Sequence, residues 1–446
     1  MEYNNEKYYD LILEKYTNSL KNYKVKLLNE DTDADKYLMM YESMNVYPVY
    51  PRPIIMPLKK KGENYNIEMK LNNKLKINIE PMKKLTDEVT KKIIEYNTFA
   101  EEFGKLRNTP KVRRFFDYEI KDAVKDRLKN QNISNAWIKM YEILNTYDFT
   151  KTDTSSTFHT FHTFHTFHIC EHPGAFVHAI KYYVENVLHK KHDFIFQSLK
   201  PESDPQIFKP DKELMTKYSD KLDYGPKKGD ITLKENIIYY ADKYKDKKYN
   251  LITSDCGLDF SENFVGQETG LYKVFYGAII TAIGLSTNNS NYVFKLFSFN
   301  DAKTIEFLQL VCLFYERVDI VRTLTTKSGS GENYCVCINY NYKGDKKQIL
   351  KILTDYMNAS NDTFLLTDIN DTFLKRIYDN HKLISLRRIT TMNMLLFRFF
   401  NHKYIVNNQT IINYVQNYTN YYVNHFLTFV KLEKSDEPFI LSLSKV

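Results

Sequence analysis

The chain has 446 residues, with 63 Lys and Arg against 55 Asp and Glu for a net charge of +8, and 43% of it is hydrophobic. That length gives room for two or three domains of about 150 residues, and the apolar share is enough for a sizeable core, which excludes a disordered polymer. The modest positive excess admits an anionic partner without demanding one. The opening MEYNNEKYYD has no apolar core and no apolar run nears membrane-spanning length, so a cytoplasmic protein is expected, neither secreted nor membrane-embedded.

Residues 1 to 48 show no strong period, and YPVYPRPIIMP from Tyr47 reads as a proline-rich extended connector. NYNIEMKLNNKLKINIEP alternates weakly and suggests a hairpin, and Leu85 to Leu128 reads as charged helix. Ser134 or Asn135 can cap a helix through SNAWIKMYEILN, with Trp137, Met140, Tyr141 and Leu144 as its buried stripe and Lys139 off it. Four Thr-Phe-His triplets follow, placing His159, His162, His165 and His168 three apart. A metal site seldom needs identical spacers, so the spacing favours an expanded loop, with only the last triplet merging into a strand FHIC.

Next come CEHPGAF and a helix with Phe176, Ala179, Ile180, Tyr183, Val184, Val187 and Leu188 on one face. An acid at a strand end followed by Pro-Gly at a helix start lets backbone approach a ligand, but the turn lacks GxGxxG, which argues against a nicotinamide cofactor. Leu188 to Asp220 reads as lysine- and proline-rich loop, and YGPKKGDIT then leads to a helix from Lys234 to Tyr244. Asp230 there is either a hydrogen-bond acceptor for a bound base or a plain Gly-Asp turn.

The densest signal runs from Leu251 to Asn339. A strand LITS ends in Asp255; Leu271, Val274, Phe275, Ala278, Ile279, Ala282 and Ile283 mark a one-faced helix; YVFKLFSF is a buried strand holding Lys295. A second helix from Ala302 to Glu316, the strand VDIVRT and a glycine-bearing turn lead to Glu332, just ahead of the strand YCVCI with Asn333 between them. This rhythm is that of a doubly wound α/β sheet ending in a hairpin, with ionisable groups at strand ends, where ligands sit in open sheets. Helices fill the rest, KKQILKILTDYM, Asp371 to Asn401 and Thr410 to Lys431, and the stripe Met392, Leu395, Leu396 and Phe399 reads as core. Cys170, Cys256, Cys312, Cys335 and Cys337 read as reduced core thiols, with neither a CxxC metal site nor a disulfide framework.

NAWIKMYEILN, CEHPGAF, YGPKKGDIT, LITSDCGLDF, YVFKLFSF and SGSGENYCV occur in an order that resembles the FtsJ-like ribose 2'-O-methyltransferases, in the branch containing cap-specific enzymes of animals and large DNA viruses. The resemblance covers Asn135 to Val336. It implies a Rossmann-like methyltransferase sheet, mostly parallel with one antiparallel hairpin strand, in a domain at 131–345 between an accessory N-terminal region, 1–130, and a helical C-terminal region, 346–446. It implies a catalytic Lys139, Asp255, Lys295 and Glu332, and S-adenosyl-L-methionine held along Glu171, Pro173, Gly174, Ala175 and Phe176, with Asp230 and Ile231 near the adenine and Asp255 beside the donor. RNA is the implied partner, foremost the capped 5' end of mRNA, with capping or transcription subunits beside it, in the host cytoplasm or a viral factory. Methylation of ribosomal or transfer RNA, or a silent RNA-binding scaffold in a capping complex, stays open. The chain departs from the family in having Ala175 where members commonly have a second glycine, and Lys327 and Gly331 where they commonly have arginine and serine.

The chemistry of the four residues fits that implication. A ribose hydroxyl attacks a methyl group once its proton is drawn off, and a lysine with a pKa near about 10.4 can take it only if shifted down by about three units. Burial and the charge of Lys139 are expected to push Lys295 that way, with Asp255 and Glu332 opposing. In this scheme Lys295 is the base, Asp255 and Lys139 tune it, Glu332 anchors the hydroxyl and the lysine, and no metal is needed.

Overall fold

In a computed structural model, the described residues are 33–44, 53–65, 67–107, 119–130, 133–150, 163–201, 211–257, 266–327, 330–359 and 363–432, with a few isolated positions before residue 33. His159 and His162 lie outside them.

In chain order the elements that matter are β1 (Ile54–Lys59), α1 (Glu80–Asn97), α2 (Glu119–Leu128), α3 (Asn135–Thr146), β2 (Thr163–Ile169), α4 (Ala175–Tyr182), β3 (Lys191–Phe196) and α5 (Lys234–Lys243). Then follow β4 (Leu251–Ser254), α6 (Tyr272–Leu285), β5 (Asn291–Leu296), α7 (Ala302–Phe314), β6 (Tyr315–Arg322), β7 (Asn333–Tyr340), α8 (Lys346–Met357), α9 (Asp371–Phe400) and α10 (Gln409–Phe429). Ser134 caps α3 by accepting from Trp137 N at 3.1 Å, as the sequence suggests.

Seven strands form one sheet in the order β1-β6-β7-β5-β4-β2-β3. β3, β2, β4 and β5 pair in parallel, while β7 runs antiparallel between β5 and β6. The strands alternate between two apolar layers: Leu251, Val293 and Val336 face the layer holding α3 and α4, whereas Ile252, Phe294 and Cys335 face the layer holding α5, α6 and α7. β2 has β3 on one side and β4 on the other, so the chain reverses its winding between β2 and β4. Ligands of open sheets bind at such a reversal, beyond the carboxyl ends of the strands.

Four sequence expectations change. The segment read as a connector supplies β1, a second antiparallel strand paired with β6 from Ile54 opposite Arg322 to Lys59 opposite Val318. Lys59 explains the docking: its buried Nζ donates to Cys312 O at 2.6 Å and Tyr315 O at 2.8 Å, closing the end of α7 with a cation where helix carbonyls lack partners. The expected hairpin after it is instead two isolated bridges, Asn72 with Phe364 and Lys76 with Asp368. The loop expected from Leu188 to Asp220 contains β3 and a helix, Lys212–Tyr218, because HDFIF is short and flanked by lysines yet pairs along β2. Cys170 and Cys256 are joined in a disulfide with Cα atoms 5.0 Å apart, so only Cys312, Cys335 and Cys337 are free thiols.

The Thr-Phe-His repeat also gives more strand than its last triplet. A period of three laid on a strand of period two sends Phe164 to one layer and Phe167 to the other. His165 and His168 likewise point to opposite faces, so these two cannot share an ion. His168 is buried with its ring nitrogens 2.8 Å from Thr253 Oγ1 and 2.7 Å from Thr166 Oγ1, and burial holds it neutral, its pKa near about 3.

Candidate active site

α3 carries two side chains one turn apart that both reach the loop between β6 and β7. Lys139 Nζ lies 2.7 Å from each carboxylate oxygen of Glu332. Glu142, with no exposed surface, accepts from Leu324 N at 2.6 Å and from the Thr325 hydroxyl at 3.1 Å. Burial pushes Glu142 up to about 7, against the pull of these hydrogen bonds. From the other side Arg322, also fully buried, donates to the carbonyls of Lys327, Ser330 and Glu332 at 3.2, 2.9 and 3.1 Å. The guanidinium spreads these donors over a rigid planar fork, so the three carbonyls are held at fixed directions. Tyr334, two residues past Glu332 and therefore on the same strand face, donates to Glu332 Oε1 at 2.5 Å.

The second ion pair stands at the carboxyl ends of β4 and β5. Lys295 Nζ is 2.9 Å from Asp255 Oδ1 and 3.2 Å from Asp255 O, with the Phe297 ring centroid at 5.5 Å. Gly257 leaves the room: a Cβ there would come within 3.0 Å of Nζ. The two pairs are coupled, because Glu332 also acts on Lys295. Burial works to lower Lys295, but Asp255, Glu332 and Glu171 outweigh it, and its pKa stands above the ordinary lysine value. The expected downward shift is therefore reversed: three acidic neighbours overcome burial. Burial pushes Asp255 up while Lys295 pulls it back. The direction that governs the pair is that of Lys295, which has the larger set of opposite charges around it. For Glu332 burial acts upward, yet Lys139 and Lys295 bring its pKa below the ordinary value.

Glu171 follows β2, next to this cluster. Its Oε1 accepts from Phe176 N at 2.7 Å and Val177 N at 2.9 Å, doing the work of a helix cap that Gly174, at the cap position, has no side chain to do. Its Oε2 is buried without a hydrogen-bond partner, and burial raises its pKa well above the usual range. Gly174 has φ +118°, a region L side chains avoid, and a Cβ there would meet Leu214 Cδ2 at 2.7 Å. Pro173 and Ala175 flank it, Ala175 as the first residue of α4. Phe176 is fully buried with its ring against Tyr334 at 6.1 Å, so its side chain supports Tyr334 and its N–H serves Glu171.

Asp230 and Ile231 lie on a separate loop. Asp230 Oδ1 accepts from Thr232 N at 2.9 Å and Thr232 Oγ1 at 2.7 Å, which is the plain turn, and Ile231 is buried against α6. Two residues not singled out from the sequence hold this loop. Gln197 donates to Gly229 O at 2.5 Å and accepts from Cys170 N at 3.2 Å, tying the loop to the end of β2. Buried Asn236 donates to Asp230 O at 2.8 Å and to Lys227 O at 3.2 Å.

Of the residues marked from sequence, Lys139, Asp255, Lys295 and Glu332 form two coupled ion pairs, and Glu171 stands beside them. Glu142, Arg322 and Tyr334 carried readable signals: an acid one helical turn from Lys139, an arginine in an apolar strand, and a hydroxyl two residues from Glu332.

A model of the FtsJ-like methyltransferase family matches residues 133–340. An uncharacterized protein of Acanthamoeba polyphaga mimivirus is 27% identical over 268 residues, 58% of this chain and 33% of that protein. A protein of African swine fever virus named "Probable methyltransferase" is 25% identical over 349 residues, 75% of this chain and 76% of that protein. The "Cap-specific mRNA (nucleoside-2'-O-)-methyltransferase 2" of Drosophila melanogaster is 22% identical over 259 residues, 56% of this chain and 36% of that protein. The chain thus spans about a third of the mimivirus and fly proteins and about three quarters of the African swine fever virus protein. The sheet reverses its winding between Glu171 and Asp255, and the match to the FtsJ-like methyltransferase family runs from α3 through β7, over residues 133–340 of this chain.

Proposed function

We propose that the chain is an S-adenosyl-L-methionine-dependent RNA ribose 2'-O-methyltransferase acting at the capped 5' end of mRNA. The observation that carries the reading is the pair of coupled ion pairs, Lys139–Glu332 and Lys295–Asp255, brought from four separate stretches of chain to the ligand-binding end of the sheet. The printed name of the fly relative supplies the cap and the 2'-oxygen. The net charge of +8 agrees with a polyanionic substrate.

The residues present fit the methyl donor. The buried Oε2 of Glu171, with no hydrogen bond and only the neutral ring of His168 at 4.0 Å, is an acceptor suited to the ammonium of a methionine moiety, and the Gly174–Ala175 turn offers backbone at close range. The Asp230–Ile231 loop, tied to the same strand end by Gln197, would take the adenine. When bound, the donor supplies an electrophilic methyl group on a sulfonium.

Lys139, Asp255, Lys295 and Glu332 then act on the ribose hydroxyl. A hydroxyl held in line by these side chains would pass its proton to Lys295 Nζ as its oxygen bonds the methyl carbon and the carbon–sulfur bond breaks to leave a neutral thioether; positioning of this kind is worth up to about 10 kcal/mol of the barrier. Lys295 is charged in the free site and must shed its proton first, and the arrival of a cationic donor beside it works in that direction. Glu332, itself held by Tyr334, holds Lys139, and Asp255 holds Lys295, so both amines are aimed before substrate arrives.

Transfer of a labelled methyl group to short RNAs tests this. Capped RNA with an unmethylated first or second nucleotide should be labelled and its 2'-methylated counterpart should not. Labelling of uncapped structured RNA instead would move the substrate to ribosomal or transfer RNA, and RNA binding without labelling of any RNA would make the chain a scaffold.

A further inference from the structure

The disulfide lies where the two halves of the proposed site meet. Cys170 immediately precedes Glu171 and Cys256 immediately follows Asp255, so one covalent bond joins the carboxyl ends of β2 and β4 at the point where the sheet reverses. The pairing of these strands ends at Ile169 opposite Ser254, and Asp255 N donates to Ile169 O at 3.3 Å just beyond it. Cys170 itself has φ +57°, a left-handed conformation that a residue with a Cβ keeps only when its surroundings over-determine it. Its constraints are the bond to Cys256 and the hydrogen bond from Cys170 N to Gln197 Oε1 at 3.2 Å. That kink turns the chain out of β2 so that Glu171 can cap α4 and leave Oε2 unpartnered.

We propose that the Cys170–Cys256 bond is a redox-sensitive clasp that positions Glu171 and Asp255, so that its reduction by a dithiol weakens binding of the methyl donor while the fold persists. The inference rests on the reading of this site as the donor site. Cys256 is 1% exposed and Cys170 is partly exposed, so a dithiol thiolate attacks the Cys170 sulfur. The Cys256 sulfur leaves as a thiolate and takes a proton. The second thiol of the reagent then attacks the mixed disulfide, releasing Cys170 as a thiol and the reagent as its cyclic disulfide. Two electrons pass from reagent to protein. The released Cys170 can relax from its left-handed backbone, and Glu171 moves with it.

The test uses the full chain, oxidised and then reduced with dithiothreitol, with S-adenosyl-L-methionine titrated calorimetrically and folding followed by circular dichroism. Reduction should weaken the affinity about tenfold with an unchanged folded spectrum. Cys256→Ser should bind at the reduced level under both conditions, and Cys312→Ser, altered in the core of α7, should respond like the unaltered chain. Equal affinity in both states, or free thiols at all five cysteines of the oxidised chain by mass spectrometry, overturns the clasp alone. Failure to bind the donor in either state overturns the donor-site reading and the clasp with it.

Discussion

Lys139 and Glu332, 193 positions apart, meet through both carboxylate oxygens at 2.7 Å, and neither side chain is more than 15% exposed. A buried ammonium fixed this way is costly to strand. Glu332→Ala leaves Lys139 without its counter-ion and should destabilise the fold by about 3–5 kcal/mol, read as a lowered midpoint in urea. A loss under 1 kcal/mol would mean that Lys139 finds another partner or water. Acid acts on the same pair: with Glu332 below its ordinary 4.5, its contribution is present above that value and fades as pH falls through the lower folded value.

Lys295→Ala should lower the rate of methyl transfer by about 100- to 10,000-fold, the usual range for a lost acid–base group, with donor affinity changed less than about threefold. Single-turnover transfer and calorimetric titration on one preparation check both. A variant retaining a tenth of the activity would remove Lys295 as the base.

The pH dependence follows from the raised pKa of Lys295. If transfer needs its neutral form, the single-turnover rate should climb about tenfold per pH unit across the neutral range, without a plateau before about pH 9 unless bound ligands lower that pKa. A rate that falls with rising pH would show that the charged amine is the working form. For stability the sign is opposite: the contribution of Lys295 is full below its ordinary 10.5 and is lost only as pH rises through the higher folded value.

Glu142→Ala should cost about 2–3 kcal/mol, because Leu324 N is left buried without an acceptor. Transfer should weaken with it, since the loop that ends in Glu332 loses its tie to α3. Thermal unfolding and transfer rate measured together separate this variant from Lys295→Ala, which strands Asp255 and so also lowers the melting temperature, but whose loss of rate should far exceed what that destabilisation explains.

A chain beginning at residue 131 and ending at 345 carries the whole family match but lacks β1. β6 would then show an open edge from Val318 to Arg322, and Cys312 O and Tyr315 O would lose the Lys59 ammonium. Exposed edges recruit other chains, so this fragment should self-associate at micromolar concentration by light scattering, whereas the full chain should not. A monodisperse fragment would show that β1 is dispensable.

The sequence carried the central sheet well, because Leu251 to Tyr340 alternates long apolar helices with buried strands and ends each strand in a recognisable residue. It misled at the edges. β1 hides among prolines, and what fixes it is Lys59 reaching carbonyls more than 250 positions away, a contact no local pattern announces. β3 is six residues long and opens on a lysine, too short for periodicity to speak. The disulfide was invisible for the same reason: Cys170 and Cys256 are 86 positions apart and only the pairing of β2 with β4 brings them together. The sign of the shift on Lys295 needed the positions of three carboxylates at once.

The tandem triplets that build β2 carry a genetic corollary. Removing or adding one Thr-Phe-His copy ahead of residue 163 leaves the strand spelled TFHTFHI, so every face of the sheet would keep its side chains. The last two copies are the ones that the sheet holds, so a change of copy number should show in the fold only when it reaches them.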